Sequence, residues 1–225
     1  MSKGKELWEQ VRHEVTAAPI QLSQWSSHAM KTDMKHFLFT FARYKFVMKM
    51  MTGTDLAVLE LGCNDGLGTM FFEQSGKCRT VVGVDFDKES IRWAKENLTS
   101  SITSFYEGDF FDKMCYPAGK YDVITSLDVI EHIESKDEDA FIKLFVDNLS
   151  DDGFAVIGTP SLVMYQHTSE KNKHAHINNY SQERLTKLLK KYFWNVFVFG
   201  MNDEILHTGM YPLTAYIMVV CCHKK

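Results

Sequence analysis

The sequence predicts an α/β protein with a mostly parallel β-sheet and a helical extension at its N-terminus. After residue 55, five short β-type runs alternate with stretches of helical periodicity. Such alternation is typical of βαβ crossovers, which set strands side by side in parallel. Near the C-terminus two more strand-like runs follow one another without a helix between them, and strands joined in this way pair antiparallel. We therefore expect one reversed strand near the end of the sheet.

The elements follow in chain order. Residues 1–31 are polar and irregular, with short helical stretches expected around Leu7–Val15. Apolar positions at helical spacing then predict an amphipathic helix over residues 33–51, either packed on the core or covering a ligand cleft. The predicted strands are Ala57–Leu61, Thr80–Val84, Ile102–Tyr106, Tyr121–Leu127, Phe154–Gly158, Trp194–Phe199 and Ala215–Cys222. The predicted helices among them are Leu67–Gln74, Lys88–Leu98, Asp137–Leu149 and Gln182–Tyr192. We divide the chain into an N-terminal helical extension or lid, residues 1–51, and a main domain, residues 52–225.

Composition and charge narrow the class of protein. A formal net charge of −4 and a pI near 6.1 argue against a broad basic face that would bind nucleic acid. The five cysteines form no C-x-x-C pair, and their odd number favours free thiols in a reducing compartment. The first ten residues have charges where a signal peptide needs an apolar core, and charges also interrupt the apolar stretch at residues 34–51. These features predict a cytoplasmic protein without a membrane span.

A turn rich in glycine follows the first predicted strand, in the stretch AVLELGCNDGLG at residues 57–68. In open α/β sheets, ligands bind at the carboxyl ends of the strands, and the first strand-to-helix turn is the usual cradle. Gly62 and Gly66 let a ligand approach the backbone closely, and Gly68 eases the packing of helix on strand. Asn64 stands where nucleotide-binding turns often have a middle glycine, and asparagine tolerates left-handed backbone geometry. A glycine turn without a ligand is the alternative interpretation.

Two acids at later strand ends favour the ligand-binding interpretation. Asp85 ends the second predicted strand, about twenty residues beyond the loop, where an acid commonly binds ribose hydroxyls. Asp109 follows the third strand, and it is well placed to accept from an adenine amino group. Each acid alone is equally well explained as a helix N-cap or a turn residue.

These motifs together resemble a class I S-adenosylmethionine-dependent methyltransferase. The resemblance covers about residues 52–225 and rests on the Glu60–Gly66 loop, Asp85, Gly108-Asp109-Phe110 and the segment at residues 121–132. It implies a Rossmann-like sheet of seven strands with one antiparallel strand and helices on both faces. It also implies S-adenosylmethionine as the cofactor.

The resemblance assigns a role to each matching position. The glycine loop would hold the methionine part of the cofactor, Glu60 would orient that loop, Asp85 would bind both ribose hydroxyls, and Asp109 with Phe110 would bind adenine. The full predicted cofactor-binding set is Glu60, Gly62, Cys63, Asn64, Gly66, Asp85, Phe86, Asp109, Phe110 and Leu127.

Candidate catalytic residues follow the fourth and fifth predicted strands. Asp128, Glu131 and His132 share a face if their segment begins a helical turn, and His132 is the first candidate for a general base because imidazole titrates near neutrality. In the alternative, Asp128 caps that turn while Glu131 and His132 brace neighbouring loops. A long polar loop then contains His174 and His176, which point to one side if the segment is extended. We predict catalytic roles for His132, Glu131, His174 and His176.

The expected reaction is O-methylation of a small polar or sugar-derived acceptor in glycan or metabolite biosynthesis. This expectation rests on a looser resemblance of the Glu131-His132-Ile133, His174-x-His176 and 200–209 segments to bacterial methyltransferases of surface-polysaccharide biosynthesis. One alternative is a metal-assisted RNA 2′-O-methyltransferase, because Asp128, Glu131, His132 and a later histidine form an oxygen and nitrogen ligand set. Another is a non-catalytic module that only binds S-adenosylmethionine. The predicted site itself includes no metal, and neither nucleic acid nor a membrane is an expected partner.

Overall fold

Three helices precede the sheet in the computed structural model, which describes residues 2–14, 21–112, 115–167 and 170–225. They are α1 (Lys3–Glu14), α2 (Gln24–Thr32) and α3 (Met34–Met50). Ser23 caps α2 by accepting from the Ser26 amide, and Asp33 caps α3 by accepting from the His36 amide at 3.0 Å. The helix predicted over residues 33–51 is confirmed. The helical stretch expected around Leu7–Val15 is confirmed by α1 as far as Glu14, and Val15 itself lies outside the described residues. The irregular structure expected elsewhere in residues 1–31 was wrong for residues 24–31, where α2 forms.

In the described part of the chain, eight strands form a single sheet. They are β1 (Leu56–Leu61), β2 (Cys78–Asp85), β3 (Thr103–Glu107), β4 (Tyr121–Leu127), β5 (Leu149–Pro160), β6 (Phe193–Asn202), β7 (Ile205–His207) and β8 (Tyr216–Lys224). The helices among them are α4 (Met70–Gln74), α5 (Lys88–Asn97), α6 (Glu138–Asn148), α7 (Glu170–Ala175) and α8 (Gln182–Leu189). Short 3₁₀ turns cover Ile130–His132, Leu162–His167 and Tyr211–Leu213.

The strand order is β3-β2-β1-β4-β5-β8-β6-β7. Neighbours from β3 to β5 are parallel, and β8 is inserted antiparallel between β5 and β6. The predicted mostly parallel sheet with a reversed strand near its end is confirmed. The count of seven strands was wrong, because β7 pairs antiparallel with β6 inside the stretch expected to be a polar connection. Asp203 adopts a left-handed conformation (φ 53°) in the two-residue turn between Asn202 and Ile205, and this lets the chain reverse tightly.

Helices cover both faces of the sheet, as predicted. Leu59 and Leu61 of β1 are buried in the larger core cluster with α6 and α8, whereas Val58 is buried with α3 and α4 on the opposite face. Because side chains alternate along a strand, Glu60 shares the face of Val58 and points toward α3. Because Glu60 lies on the face that α3 covers, the N-terminal helices come close to the predicted cofactor loop.

Two further differences affect the predicted site. The helix expected over Leu67–Gln74 begins only at Met70, so the glycine-rich turn is longer than expected. The long polar loop after β5 contains the Leu162–His167 turn and α7, so His174 lies in a helix and not in an extended segment. Within the described ranges, none of the helices combines the length and apolarity needed to cross a bilayer.

Candidate active site

The glycine-rich loop forms a tight left-handed turn at the carboxyl end of β1. Gly62 (φ 81°), Asn64 (φ 49°) and Gly66 (φ 73°) all have positive φ, which confirms the expectation that Asn64 replaces a glycine by tolerating this geometry. The Asn64 side-chain oxygen accepts from the Ser90 hydroxyl at 3.0 Å and ties the loop to α5. A Cβ on Gly66 would overlap the Phe105 ring, so the loop fits closely on β3.

Asp85 at the end of β2 fastens this loop. One carboxylate oxygen accepts from the Asn64 amide at 2.8 Å, and the other accepts from the Asp87 amide at 2.9 Å. Burial raises the pKa of Asp85, while these amide donors lower it. The alternative in which Asp85 caps α5 was wrong, since Asp87 accepts from the Glu89 and Ser90 amides. Phe86 follows with 77% of its surface exposed.

The adenine end of the predicted site is less complete. Asp109 is exposed beyond β3, and its carboxylate accepts from the Phe111 amide at 2.9 Å. The Phe110 ring is buried in the core, 5.5 Å from the Phe141 ring, so its side chain does not face a groove. Leu127 is also buried, at the end of β4. The roles of these residues in cofactor binding stay predictions.

Glu60 lies beneath the loop, fully buried. Its two carboxylate oxygens accept from the Tyr44 hydroxyl of α3 at 2.6 Å and from the Thr69 hydroxyl at 2.5 Å. Burial raises the pKa of Glu60 to about 7, although both hydroxyls act in the opposite direction. A Cβ on Gly68 would overlap the Tyr44 ring, so this glycine makes room for α3 and not for the strand-to-helix packing that the sequence suggested. Helix α3 is therefore in direct contact with the predicted cofactor loop.

Helix α2 contacts the other side of the same loop. The Asp65 carboxylate accepts from the hydroxyls of Ser23 and Ser26, the latter at 2.5 Å, and all three residues are buried. A cavity of about 200 Å³ lies between the two helices and the loop. Its lining includes Trp25, Phe37, Tyr44, Cys63, Asn64 and Gly68. This cavity adjoins the loop that was predicted to hold the methionine part of the cofactor.

A larger cleft of about 670 Å³ opens beside the carboxyl ends of β4 and β5. Side chains from α3, from the segments after β4 and after α7, and from β8 line it, among them Arg43, Asp128, Glu131, His132, His176 and Tyr216. Asp128 has a left-handed backbone (φ 58°) and pairs with Arg43, with 2.6 Å between Nη1 and Oδ2. Among the described residues no side chain caps the Ile130–His132 turn, so the interpretation of Asp128 as a helix cap was wrong.

His132 is exposed in this cleft and is oriented by the backbone. Its Nδ1 lies 3.0 Å from the Ala175 carbonyl oxygen, which can only accept, so Nδ1 is the protonated nitrogen and Nε2 of the neutral ring has a free lone pair. The His176 ring lies edge-on with 5.0 Å between centroids. Burial lowers the pKa of His176, and the neighbouring His132 acts in the same direction. His174 lies exposed on α7 and is not among the residues that line the cleft.

Glu131 completes a group of three potential metal ligands. Its Oε2 accepts from the Thr159 hydroxyl at 2.9 Å, and its Oε1, although buried, has no hydrogen-bond partner among the described residues. Burial raises the pKa of Glu131 to about 8, with Asp128 acting in the same direction and Thr159 and Arg43 against it. One ligand atom each from Glu131, His132 and His176 lie within 4.8 Å of one another. A carboxylate with two imidazoles is a donor set that suits a divalent transition metal.

Sequence reasoning missed the contribution of α3. Arg43 and Tyr44 are both buried, although they lie in a helix predicted only as packing or as a cover. The sequence did contain a signal, since an arginine and a tyrosine stand side by side within an apolar helix. Buried polar groups need partners, so these two residues indicate polar contacts between this helix and the rest of the protein. Tyr216 of β8, which stacks on Arg43, was missed as well.

Comparisons with known proteins bear on the family and the fold of this chain. The model of a family described as a methyltransferase domain, Methyltransf_23, matches residues 8–196. A sphingolipid C9-methyltransferase of Candida albicans is 32% identical over 103 residues, which is 43% of this chain and 20% of that protein, so the chain spans about a fifth of that relative.

Two solved structures share the fold. The methyltransferase domain of bacterial CtHen1-C has a TM-score of 0.63 and 20% identity, over 81% of this chain and 97% of that one. The magnesium protoporphyrin IX methyltransferase of Synechocystis, with bound SAH, has a TM-score of 0.62 and 15% identity, over 98% and 95% of the two chains.

Proposed function

This chain belongs to the methyltransferase-domain family, and we propose that it transfers a methyl group to a hydroxyl oxygen of a small, polar, sugar-like acceptor in glycan or metabolite biosynthesis. Its cofactor is S-adenosylmethionine. The observation that supports the acceptor class is the cleft of about 670 Å³, because charged and imidazole side chains line it at the carboxyl edge of β4 and β5. A lipid acceptor, such as the Candida albicans relative's name suggests for that protein, suits this lining less well.

The cofactor would lie across the carboxyl ends of β1, β2 and β3. Asp85, already fixed by two backbone amides, would bind the ribose hydroxyls, and Asp109 would bind the adenine amino group. The loop under Tyr44 would hold the methionine part beside the smaller cavity. The reactive methyl group would then face the larger cleft at the end of β4.

The protein's contribution to the reaction would be alignment, exclusion of water and removal of one proton. Alignment of two reactants is the larger effect, since effective molarities reach about 10⁵–10⁸ M. His132 would be the general base, because it lines the cleft and its Nδ1 is fixed on the Ala175 carbonyl, which leaves Nε2 to accept the proton. Proton transfer to a positioned base contributes about 10²–10⁴-fold. His176 would keep the His132 ring in place by its edge-on contact.

A second candidate function is metal-assisted 2′-O-methylation of RNA. The convergence of Glu131, His132 and His176 within 4.8 Å favours it, and the partnerless Oε1 of Glu131 is available as a ligand atom. A divalent ion held there would polarise the acceptor hydroxyl and lower its pKa. The net charge of −4 argues against an RNA substrate, because phosphate contacts need a basic surface.

Transfer of isotopically labelled methyl groups tests these candidates directly. The protein would be incubated with methyl-labelled S-adenosylmethionine and, separately, the small-molecule and RNA fractions of a cell extract, each with and without a chelator. Label in a polar small molecule supports the first proposal, whereas chelator-sensitive label in RNA replaces it with the second. No transfer to either fraction, with cofactor still bound, would identify a non-catalytic binding module.

Histidine variants then test the assignment of the base. We expect His132→Gln to lower transfer by about 10²-fold or more while cofactor affinity is kept. His13→Gln is the matched control, because His13 is exposed on α1, outside the residues that line the cleft. Equal activity of the two variants would contradict the role of His132, and His174→Gln would show whether the predicted role of His174 is needed.

A further inference from the structure

Arg43 is an unusual residue for the middle of an apolar helix, because its charge is buried at the edge of the cleft. Only 7% of its side chain is exposed, and Nη1 lies 2.6 Å from Oδ2 of Asp128. The two residues are 85 positions apart, so the pair joins α3 to the segment after β4. A buried charge is costly to desolvate unless its partners hold it well.

A third element holds the guanidinium in place. Its central carbon lies 3.7 Å from the centroid of the Tyr216 ring at the start of β8, which is a stacked cation–π arrangement. Arg43 is thus held between the carboxylate of Asp128, which follows β4, and the aromatic ring of Tyr216 at the start of β8. Its Nε has no hydrogen-bond partner among the described residues, so hydrogen bonding does not account for the whole arrangement.

Asp128 differs from Arg43 in its exposure. About a third of its side chain (34%) is exposed, and it lines the larger cleft. Its backbone is left-handed (φ 58°), and its amide donates to the Gly158 carbonyl at 3.0 Å. Aspartate adopts this conformation more readily than most residues, and residues held in sparsely populated backbone regions cluster at active sites. Arg43 holds the Asp128 side chain through the ion pair, and the partly exposed Asp128 lines the acceptor cleft.

We propose that Arg43 is a positioning residue that holds the Asp128 carboxylate toward the acceptor, where it accepts a hydrogen bond from an acceptor hydroxyl. The inference rests on the proposed function and narrows its acceptor class: the acceptor has a hydroxyl that donates to Asp128 as well as the hydroxyl that is methylated. The helix α3 thereby contributes to acceptor recognition, a role that nothing in the glycine loop or the strand-end acids implies.

The test compares variants that remove the pair in different ways. Arg43→Met removes the charge and keeps the length of the side chain, Arg43→Lys keeps the charge without the planar fork, and Asp128→Asn keeps the shape of the carboxylate. Arg79→Met is the matched control, because Arg79 pairs with Asp122 (3.1 Å). Asp122 lies near the start of β4, whereas Asp128 follows the end of that strand.

Three measurements are made on each full-length protein. Calorimetry with S-adenosylhomocysteine gives the cofactor affinity, and thermal unfolding gives the midpoint temperature. The rate of label transfer from methyl-labelled S-adenosylmethionine, measured against dilutions of the small-molecule extract fraction, gives an apparent maximal rate and a half-saturating concentration.

We expect Arg43→Met and Asp128→Asn to lower the ratio of maximal rate to half-saturating concentration by about 10²-fold, the typical effect of a misplaced contact. Affinity for S-adenosylhomocysteine should stay within about twofold, Arg43→Lys should recover part of the loss, and the double variant should lose no more than either single one. Arg79→Met should leave both transfer parameters unchanged.

Several outcomes would overturn the proposal. Wild-type transfer parameters in an Arg43→Met protein that binds S-adenosylhomocysteine would show that the pair is only structural. If Arg43→Met does not fold, wild-type transfer by Asp128→Asn would lead to the same conclusion. If the wild type is active and the variants are unaffected, only the positioning role of Arg43 is overturned. If the wild type binds S-adenosylhomocysteine but labels no small molecule, both the proposed function and the positioning role are overturned.

Discussion

The buried carboxyl of Glu60 should make the stability of this protein depend on pH. Burial raises the pKa of Glu60 to about 7, compared with 4.5 for an ordinary glutamate. The folded protein therefore holds this proton more tightly than the unfolded chain does. The resulting stability is fully present below about pH 4.5 and is lost as the pH rises through about 7. From these two values, the loss between pH 5 and pH 8 is about 2.5 kcal/mol.

The variant Glu60→Gln removes this titration with little change of shape. Its amide can still accept from Tyr44 and can donate to Thr69, the two hydroxyls that contact Glu60. Urea unfolding of both proteins at pH 5 and at pH 8 measures the effect. We expect the stability of Glu60→Gln relative to the wild type to increase by about 2.5 kcal/mol between the two pH values. Glu131, whose raised pKa acts in the same direction, is present in both proteins and cancels in the comparison.

A matched control separates this effect from general changes in charge. Glu96→Gln removes an exposed carboxyl on α5, and its stability relative to the wild type should be the same at both pH values. A constant difference between Glu60→Gln and the wild type across this pH range would refute the reasoning. It would mean that Tyr44 and Thr69 stabilise the ionised carboxylate enough to offset its burial.

Two further predictions concern the loop. Gly68→Ala should lower the free energy of unfolding, measured in urea, by about 1–3 kcal/mol, because the added methyl group overlaps the Tyr44 ring. The loss should be smaller in a Tyr44→Leu background, and equal losses in both backgrounds would contradict the clash. Asp85→Asn should weaken S-adenosylhomocysteine binding by at least about tenfold in calorimetry, because the amide nitrogen cannot accept from the Asn64 or Asp87 amide or from a ribose hydroxyl; unchanged affinity would remove Asp85 from the cofactor site.

The sequence predicted those features that depend on local pattern. Alternating strands and helices gave the parallel sheet, and the consecutive strands near the C-terminus gave the reversed one. The left-handed backbone at Asn64 followed from the chemistry of its side chain alone. By contrast, β7 escaped notice because three residues are too few for a periodic pattern, and the chain reversal depends on a single left-handed residue, Asp203.

The parts of the site that were missed depend on contacts between distant segments. Glu60 was predicted to orient the loop, but its partner Tyr44 belongs to a helix whose orientation on the sheet no periodicity specifies. The pair of Arg43 and Asp128 depends on the same orientation. His174 illustrates the opposite error: the assumption of an extended segment placed it beside His176, whereas α7 leaves it exposed. Backbone conformation in irregular segments follows from tertiary packing that a single sequence does not encode locally.

Arg43 and Tyr44 are consecutive residues, yet Arg43 lines the larger cleft and Tyr44 lines the smaller cavity between α2, α3 and the glycine-rich loop. Neighbours on an α-helix diverge by about 100° around its axis, so a single turn of helix can reach both compartments. A small rotation or translation of this helix would therefore disturb two proposed binding sites at once, one for the methyl donor and one for the molecule that receives the methyl group. A substitution that reshapes one of these sites should therefore also affect the other, and deletion of residues 1–51 should affect both.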